Sequence, residues 1–395
     1  MAAIAGRSIL VAQDTTEINF SGRAARRKGL GPAGDGVSPG FFVHPQVAVD
    51  AEHGAVLGIV GAELWTRPQG RAPDHKQRLP DDKESRRWLT GAEAAARYRS
   101  AARVVVVGDR ESDIYALFAE RPDTVHLLVR ATQDRSLAEG SSLKAISQDW
   151  PILDVRTVDV PARRVGASGG PRAARKAQIA TRSGTITIKR PARAGNKQHA
   201  ETVTLGLVVV TEIDPPAGVE PLVWRLLTTL PVATAAEAAE VVRLYKLRRG
   251  EARGARRRIE EVFRSLKSDG LDLEASQVTT AKRLLNLAAL GIVAAARNVQ
   301  LVDARDGSPR PATDVIDAAD IPAIAAICKT LEGATVRQRN PHSRGSLAWV
   351  SWVVARLGGW NCYYRPPGPK TMAAGWNRLA DRLEGFVLAR RMGGV

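Results

Sequence analysis

Three acidic residues of this chain lie where rigid elements would hold them: Asp14, Asp109 and Glu260. Asp14 follows the apolar run 9–12, Asp109 follows the valine-rich run 104–107, and Glu260 lies in a segment with a helical pattern. Two Asp after strands and one Glu on a later helix could hold two hard divalent cations, since Mg²⁺ prefers carboxylate oxygens. Such a pair of ions supports phosphoryl transfer, because it activates the nucleophile and stabilises the leaving oxygen.

Each acid also has a simpler interpretation. An Asp directly after a strand is often a turn or helix-cap residue, and Asp113 fits that role better than Asp109 does. Glu260 and Lys267 could be solvated charges, as most helical Glu and Lys are. Glu261 lies on a different helical face from Glu260 and is the neighbouring acid that could be mistaken for the functional one, a decoy.

Helical geometry favours a functional position for Glu260. At about 100° per residue, one narrow arc carries Arg256, Glu260, Phe263 and Lys267. An adjoining apolar stripe carries Ile259, Val262 and Leu266. This pattern predicts that the Glu260 face borders the protein core.

The composition favours a polyanionic partner. The 395 residues include 58 Lys and Arg against 41 Asp and Glu, a formal charge of +17. Such an excess attracts nucleic acid, although codon bias toward Arg could also produce it. Residues 160–200 contain ten Lys or Arg and no Asp or Glu. This stretch is either a solvated loop or a surface that contacts phosphates.

Cysteine content and hydropathy limit the class of protein further. Two cysteines, Cys328 and Cys362, exclude a disulfide framework, and we expect both to be ordinary buried thiols. No signal peptide and no apolar run of about 18 residues are recognised, so a cytoplasmic protein without a membrane partner is predicted.

The order of predicted elements indicates an α/β fold with a mixed sheet in ribonuclease H-like order. Strands are expected at 8–12, 41–49, 54–65, 103–107 and 125–129, with helices at 83–99 and 111–119. Alternating short runs then predict an all-β insertion. Gly250 and Gly254 interrupt a helical stretch at 234–268, and a long Ala/Leu helix at 281–301 follows.

Four segments are therefore predicted. They are the first part of the catalytic core (1–135), the β-rich insertion (136–233), the second part of the core with the Glu260 helix (234–305) and a helical C-terminal region (306–395). Amphipathic stripes rich in Trp run through the last segment. They are interpreted as core, with a dimer interface as the second interpretation.

Several motifs together resemble the DDE transposases of the insertion-sequence-four family, which excise DNA through hairpins. They are Asp14-Thr15-Thr16, Phe41-Phe42-Val43-His44, Trp65-Thr66-Arg67-Pro68, Asp109-Arg110-Glu111-x-Asp113, Trp224-Arg225-Leu226-Leu227-Thr228, Arg258-Ile259-Glu260-Glu261 and residues 346–359. The similarity covers nearly the whole chain.

The resemblance implies a catalytic triad of Asp14, Asp109 and Glu260, with two Mg²⁺ ions that Mn²⁺ can replace. It implies nicking of a transposon end, hairpin formation and opening, and strand transfer into target DNA. Trp224 matches a position that supports base flipping, although it could be only a core aromatic of a strand. The C-terminal helices would form a homodimer that pairs two double-stranded DNA ends.

The DNA-contact signature of the family, Tyr-x2-Arg-x3-Glu-x6-Lys, is only partly regular here. Glu260 and Lys267 keep their spacing, whereas Tyr245 and Arg248 lie farther from Glu260 than the pattern requires. Either the residues between are looped out, or Arg256 takes the place of the signature arginine. Arg110 and Arg130 are further candidates for DNA contacts.

A second departure concerns the N-terminus. Family members carry a domain that recognises the transposon end, and this chain begins just before the first catalytic strand. The alternative prediction is thus a catalytically impaired, truncated transposase that inhibits by binding DNA or by dimerising.

Overall fold

The computed structural model describes residues 2–20, 27–68, 84–162, 172–192, 198–249 and 258–392. The chain forms two compact units. Unit 1 comprises Met1–Pro73, Tyr98–Arg103 and Arg253–Val395, and unit 2 comprises Asp74–Arg97 and Val104–Ala252. The predicted α/β class with a mixed sheet is confirmed, whereas the ribonuclease H-like order and the four segment boundaries stay predictions.

The described strands and helices are numbered in chain order. The strands are β1 (Ser8–Gln13), β2 (Thr16–Asn19), β3 (Gly31–Pro32), β4 (Pro39–Asp50), β5 (Val56–Trp65), β6 (Arg103–Gly108), β7 (His126–Arg130), β8 (Asp154–Val160), β9 (Arg175–Lys189), β10 (Thr202–Ile213) and β11 (Val223–Thr228). The α-helices are α1 (Arg87–Ala95), α2 (Tyr115–Glu120), α3 (Leu143–Ile146), α4 (Ala235–Arg249), α5 (Arg258–Lys267), α6 (Ala281–Ala304), α7 (Ile321–Leu331), α8 (Leu347–Leu357) and α9 (Pro369–Met392).

Strand β4 organises the sheet of unit 1. It pairs antiparallel with β1, β2, β3 and β5, and its residues from Gly40 to Val49 are buried. The sequence predicted β1, β4 and β5 but missed β2 and β3. Both are short, and their pairing partners lie in β4, beyond the reach of a local pattern.

Strands β1 and β2 keep one register against β4. Gln13 pairs with Gln46, and Thr16 pairs with Val43. The interruption between the two strands therefore falls at Asp14 and Thr15, opposite Pro45 and His44. Proline has no N–H to donate to a ladder, so a break opposite Pro45 is physically expected.

The turn between β4 and β5 matches the predicted turn at 50–54. The Asp50 carboxylate accepts hydrogen bonds from the backbone N–H groups of Glu52 and His53, both at 2.9 Å. Gly54 closes the turn with φ of 70°, a left-handed conformation that favours glycine.

The sheet of unit 2 has the order β6-β7-β11-β10-β9-β8. Strands β6 and β7 are parallel, and the other neighbours are antiparallel. Strands β8 to β11 confirm that the predicted insertion is rich in β-structure. It was wrong to call the insertion all-β, because the short helix α3 lies within it. The loop interpretation of 160–200 was wrong for β9, which pairs with β10 along residues 178–189 and with β8 along residues 175–181.

The predicted helix at 111–119 is divided in two. A short 3-10 helix spans Arg110–Ser112, and α2 begins at Tyr115. Between them, the carboxylate of Asp113 accepts hydrogen bonds from the backbone N–H groups of Thr132 and Gln133 and from the Arg135 guanidinium. These partners follow β7, so the sequence pattern around Asp113 could not reveal the break.

Helix α6 is long and apolar enough to cross a membrane by length and composition, and it is the one such helix in the part of the chain that the structure describes. Lys282, Arg283 and Arg297 interrupt it, so it holds no continuous apolar run of about 18 residues, and the absence of a membrane partner stays a prediction. Its polar residues Asn298 and Gln300 are buried within unit 1, where Asn298 donates to Ser265 Oγ (3.3 Å) and Gln300 donates to the Leu57 carbonyl (3.0 Å). These are the contacts of a core helix.

The C-terminal helices share a hydrophobic core, which confirms the core interpretation of their stripes. Trp349 and Trp352 of α8 pack in it together with Met372 and Leu379 of α9. The end of α9 differs, because Phe386, Val387 and Leu388 are exposed. A dimer interface there stays a prediction.

The two cysteines are not equally buried. Cys328 is buried in the α7–α8 core, whereas Cys362 is only half-buried, so the prediction for Cys362 was wrong. Burial raises the pKa of both thiols above the usual value. A raised pKa keeps a thiol protonated, and the thiolate is the reactive form.

We therefore expect both thiols of the native protein to react slowly with a disulfide reagent such as dithionitrobenzoate at pH 8. The unfolded protein in urea should react fast at both cysteines. Absorbance of the released thionitrobenzoate measures both rates. A native thiol that reacts as fast as an unfolded one would contradict the expectation.

Candidate functional site

Asp14 lies in the interruption between β1 and β2. Its side chain is half-buried, and its Oδ1 accepts a hydrogen bond from the Thr15 N–H at 2.8 Å. Strand pairing fixes the backbone on both sides of it, at Gln13 and Thr16. The sequence correctly placed Asp14 directly after a strand.

A buried polar cluster lies beside Asp14, and sequence reasoning missed its role. His44 and Gln13 are completely buried, and the His44 ring lies within hydrogen-bond distance of Gln13 and Thr15. A histidine and two glutamines inside apolar strands were the available signal, since buried polar groups need partners.

Helix α5 places Glu260 beside a buried apolar stripe, as the helical periodicity predicted. The apolar stripe of Ile259, Val262 and Leu266 is fully buried, and Glu260 is half-buried beside it. Lys267, on the same arc, lies 3.9 Å from Glu274 Oε1. The face of Glu260 thus borders the core, as a ligand position requires.

Arg258 anchors the beginning of α5. Its Nε donates to the Gly54 carbonyl (2.9 Å), and its Nη1 lies 2.5 Å from Asp303 Oδ1 and 3.3 Å from Glu261 Oε2. Burial raises the pKa of Asp303, while the Arg258 guanidinium opposes that rise. Because Glu261 binds Arg258, it is a structural partner of this anchor, consistent with its prediction as a decoy.

Asp109 directly follows β6 and has the capping role, so the expectation that Asp113 fits this role better was wrong. Its Oδ1 accepts from the Glu111 N–H at 2.9 Å, so the cap interpretation holds for one carboxylate oxygen. The Ser112 hydroxyl donates to the Asp109 carbonyl (2.6 Å), and a Cβ on Gly108 would approach Ser112 Oγ to 2.1 Å. Only glycine at 108 therefore allows this turn.

The second oxygen of Asp109 faces Arg248. The Arg248 Nη2 lies 3.9 Å from Asp109 Oδ2, and the Arg248 side chain is 7% exposed against 32% for Asp109. Arg248 ends the Tyr-x2-Arg motif on α4. The structure thus brings together, within unit 2, a candidate metal ligand and a candidate DNA contact.

Trp224, Tyr245 and Arg130 form an aromatic cluster in unit 2. The Trp224 and Tyr245 rings meet edge to face with centroids 5.6 Å apart, and the Arg130 guanidinium lies 5.9 Å from the Trp224 centroid. Tyr245 is buried, whereas Trp224 is half-buried. Tyr245 therefore has a packing role, while part of the Trp224 ring remains accessible.

The other candidate DNA contacts differ in what the structure describes. Arg110 is exposed beside Asp109. Arg256 lies outside the described residues, as do Gly250 and Gly254. The choice between Arg248 and Arg256 as the signature arginine therefore stays open, although Arg248 has the contact with Asp109.

Several cations of the basic stretch 160–200 have partners within the protein. Arg175 forms a bidentate pair with the buried Glu212, and Arg182 donates to the Trp150 carbonyl at 3.1 Å. Lys176 and Lys189 are exposed on β9. A phosphate-contacting surface would therefore use the exposed lysines rather than every cation of the stretch.

The donor chemistry of the three candidate ligands suits a hard divalent cation, because all three are carboxylates. Within the described ranges, however, no three His, Cys, Asp or Glu side chains stand close enough to form a metal-binding group. The two-ion site stays a prediction.

A comparison with models of known protein families finds none that matches this chain.

Proposed function

We propose that this chain is the catalytic core of a DNA transposase similar to the insertion-sequence-four family. The contact between Arg248 and Asp109 is the observation that carries the proposal. Its guanidinium, from the Tyr-x2-Arg motif, lies 3.9 Å from the Asp109 carboxylate. An arginine of the family's DNA-contact signature thus lies beside an acid that would do chemistry on DNA, although the two residues are far apart in sequence.

The three acids have complementary roles in this proposal. Asp14, Asp109 and Glu260 would hold divalent cations, which supply activation of the attacking oxygen and stabilisation of the leaving oxygen. Asp109 is held by its cap to Glu111, and Arg248 balances its charge. Glu260 is held by the buried stripe of α5 and by the anchor at Arg258.

The DNA contacts follow from charge and exposure. Arg110 and Lys267 would contact phosphates near the acids, and Arg130 would support the face of Trp224. The accessible part of Trp224 would stack on a base that leaves the duplex during hairpin formation.

The remaining parts of the proposal concern architecture and assembly. The catalytic core would have the ribonuclease H-like order, with β8 to β11 as the β insertion before Glu260. The C-terminal helices would join two copies, each on one DNA end. Exposed Phe386, Val387 and Leu388 of α9 support such an interface.

A hairpin-opening experiment tests the proposal. A DNA hairpin with a labelled 5′ end is incubated with the wild-type protein and Mn²⁺ under single-turnover conditions. We expect the protein to open the hairpin, and EDTA should abolish this opening, since the labelled strand is cleaved only by metal-dependent phosphoryl transfer. This substrate requires little recognition of a specific transposon end.

Binding of the same hairpin is measured in parallel at rising salt. Affinity should fall steeply with salt concentration, because Lys and Arg release counterions from the phosphates. Salt-sensitive binding without opening would reject the enzyme and favour the DNA-binding inhibitor. If the protein neither binds nor opens the hairpin, both functions are rejected.

A further inference from the structure

His44 lies directly opposite Thr15 in the sheet of unit 1. Gln13 pairs with Gln46 and Thr16 with Val43, and the same register places Thr15 opposite His44 and Asp14 opposite Pro45. Side chains directly opposite each other lie on the same face, and neighbours along a strand alternate. The register therefore places Gln13, Thr15 and His44 on one face and Asp14 on the other.

Both ring nitrogens of His44 are engaged on that face. Nε2 lies 3.0 Å from Gln13 Oε1, and Nδ1 lies 2.9 Å from Thr15 Oγ1. Because the Gln13 oxygen can only accept, Nε2 carries the hydrogen, and Nδ1 accepts from the Thr15 hydroxyl. The His44 carbonyl accepts from Gln46 Nε2 at 3.0 Å.

The ring thus connects the residue before Asp14 with the residue after it. At this point the ladder is interrupted opposite Pro45, so strand pairing does not fix the backbone of Asp14 itself. The side chains of His44 and Gln13 are completely buried, where a hydrogen bond is stronger and its loss costs more than in water. The His44 ring replaces the missing ladder bonds with two side-chain bonds.

We propose that His44 is a positioning residue for Asp14. It holds Gln13 and Thr15 so that the carboxylate between them is presented, in a fixed direction, to the opposite face of the sheet. This inference rests on the proposed role of Asp14 as a metal ligand. Groups that orient a ligand in this way affect metal affinity without touching the metal.

This role is tested by two substitutions that preserve the fold. His44→Gln keeps a donor near the position of Nε2 but loses the acceptor for Thr15. Thr15→Val removes the hydroxyl on the other side of the same bond and keeps the β-branched shape. His53→Gln is the matched control, because His53 lies on the turn of the same hairpin with its side chain 65% exposed.

Mn²⁺ alone is the probe, and its binding is followed by electron paramagnetic resonance alongside thermal unfolding. We expect His44→Gln and Thr15→Val each to weaken the Asp14-dependent Mn²⁺ affinity by about 10- to 100-fold. The Mn²⁺ affinity of the double variant should be no lower than that of the weaker-binding single variant, because both changes break the same hydrogen bond between His44 and Thr15. In hairpin opening, kcat should fall while KM for DNA stays constant.

The outcomes separate this inference from the proposed function. If Asp14→Asn binds Mn²⁺ as tightly as the wild type, the role of Asp14 is wrong, and the inference is overturned with it. If Asp14→Asn loses binding but folded His44→Gln keeps the wild-type affinity, only the inference is overturned. It is also overturned if the two substitutions act independently, or if His53→Gln has the same effect as His44→Gln.

Discussion

Glu260→Gln is expected to slow metal-dependent hairpin opening by about a thousandfold or more. Loss of one ligand carboxylate removes several kcal/mol of transition-state stabilisation, and each 1.4 kcal/mol is about tenfold in rate. The free energy of unfolding should change by less than about 1 kcal/mol, because Glu260 borders the core without filling it. Single-turnover rates and urea unfolding provide the two measurements.

Glu261→Gln is the matched control on the same helix. Its amide oxygen can still accept from Arg258, which lies 3.3 Å from the Glu261 carboxylate. The rate should stay within about fivefold of wild type, because Glu261 is not a proposed metal ligand and the amide keeps the contact with Arg258. Equal losses in both variants, or a normal rate for Glu260→Gln, would show that Glu260 has no special role.

Asp113→Asn is expected to destabilise unit 2 by about 3–5 kcal/mol, the usual cost of breaking a buried ion pair from one side. The Asp113 side chain is 0% exposed and that of Arg135 is 4% exposed, with 2.6 Å between Asp113 Oδ1 and Arg135 Nη2. The same carboxylate accepts from the Thr132 and Gln133 N–H groups at 2.8 and 3.0 Å. Neutralising Asp113 leaves the Arg135 guanidinium buried without its counter-charge.

Asp109→Asn is the comparison from the same motif. An amide oxygen can still cap the turn at Glu111, and the side chain is 32% exposed, so the stability should change by about 1 kcal/mol or less. Hairpin opening should be lost in Asp109→Asn, since Asp109 is the proposed ligand. Urea unfolding of both variants decides the assignment. A stable Asp113→Asn, or an Asp109→Asn that is the less stable of the two, would reverse the two roles.

Local patterns predicted the parts of the fold that local physics determines. The valine run of β6, the strand pair of β4 and β5, and the buried stripe beside Glu260 all agree with the structure. Each reports burial through a short-range period, which a single sequence carries. The positions of Asp14 and Asp109 after strands followed from the same signal.

Long-range pairing was beyond these patterns. The break at Asp113 depends on residues after β7, and β2 depends on pairing with residues 40–43 of β4. Arg248 contacts Asp109 although most of the sequence of unit 2 separates them. The role of His44 is visible only because Thr15 lies opposite it in the sheet. Partners of this kind are set by the tertiary structure, so the residue types alone indicated only that partners were needed.

The hairpin of β4 and β5 supports both proposed acids of unit 1. His44 of β4 connects the two neighbours of Asp14, and the Gly54 carbonyl in the turn accepts from Arg258 at the beginning of α5. A hairpin closes a short loop, whereas β1, β2 and α5 must close longer ones, so the hairpin has the lowest entropic barrier to formation. During folding it can serve as a template on which the first strand and the Glu260 helix later assemble. The geometry of the acids would then be acquired late, after a local element that contains neither of them.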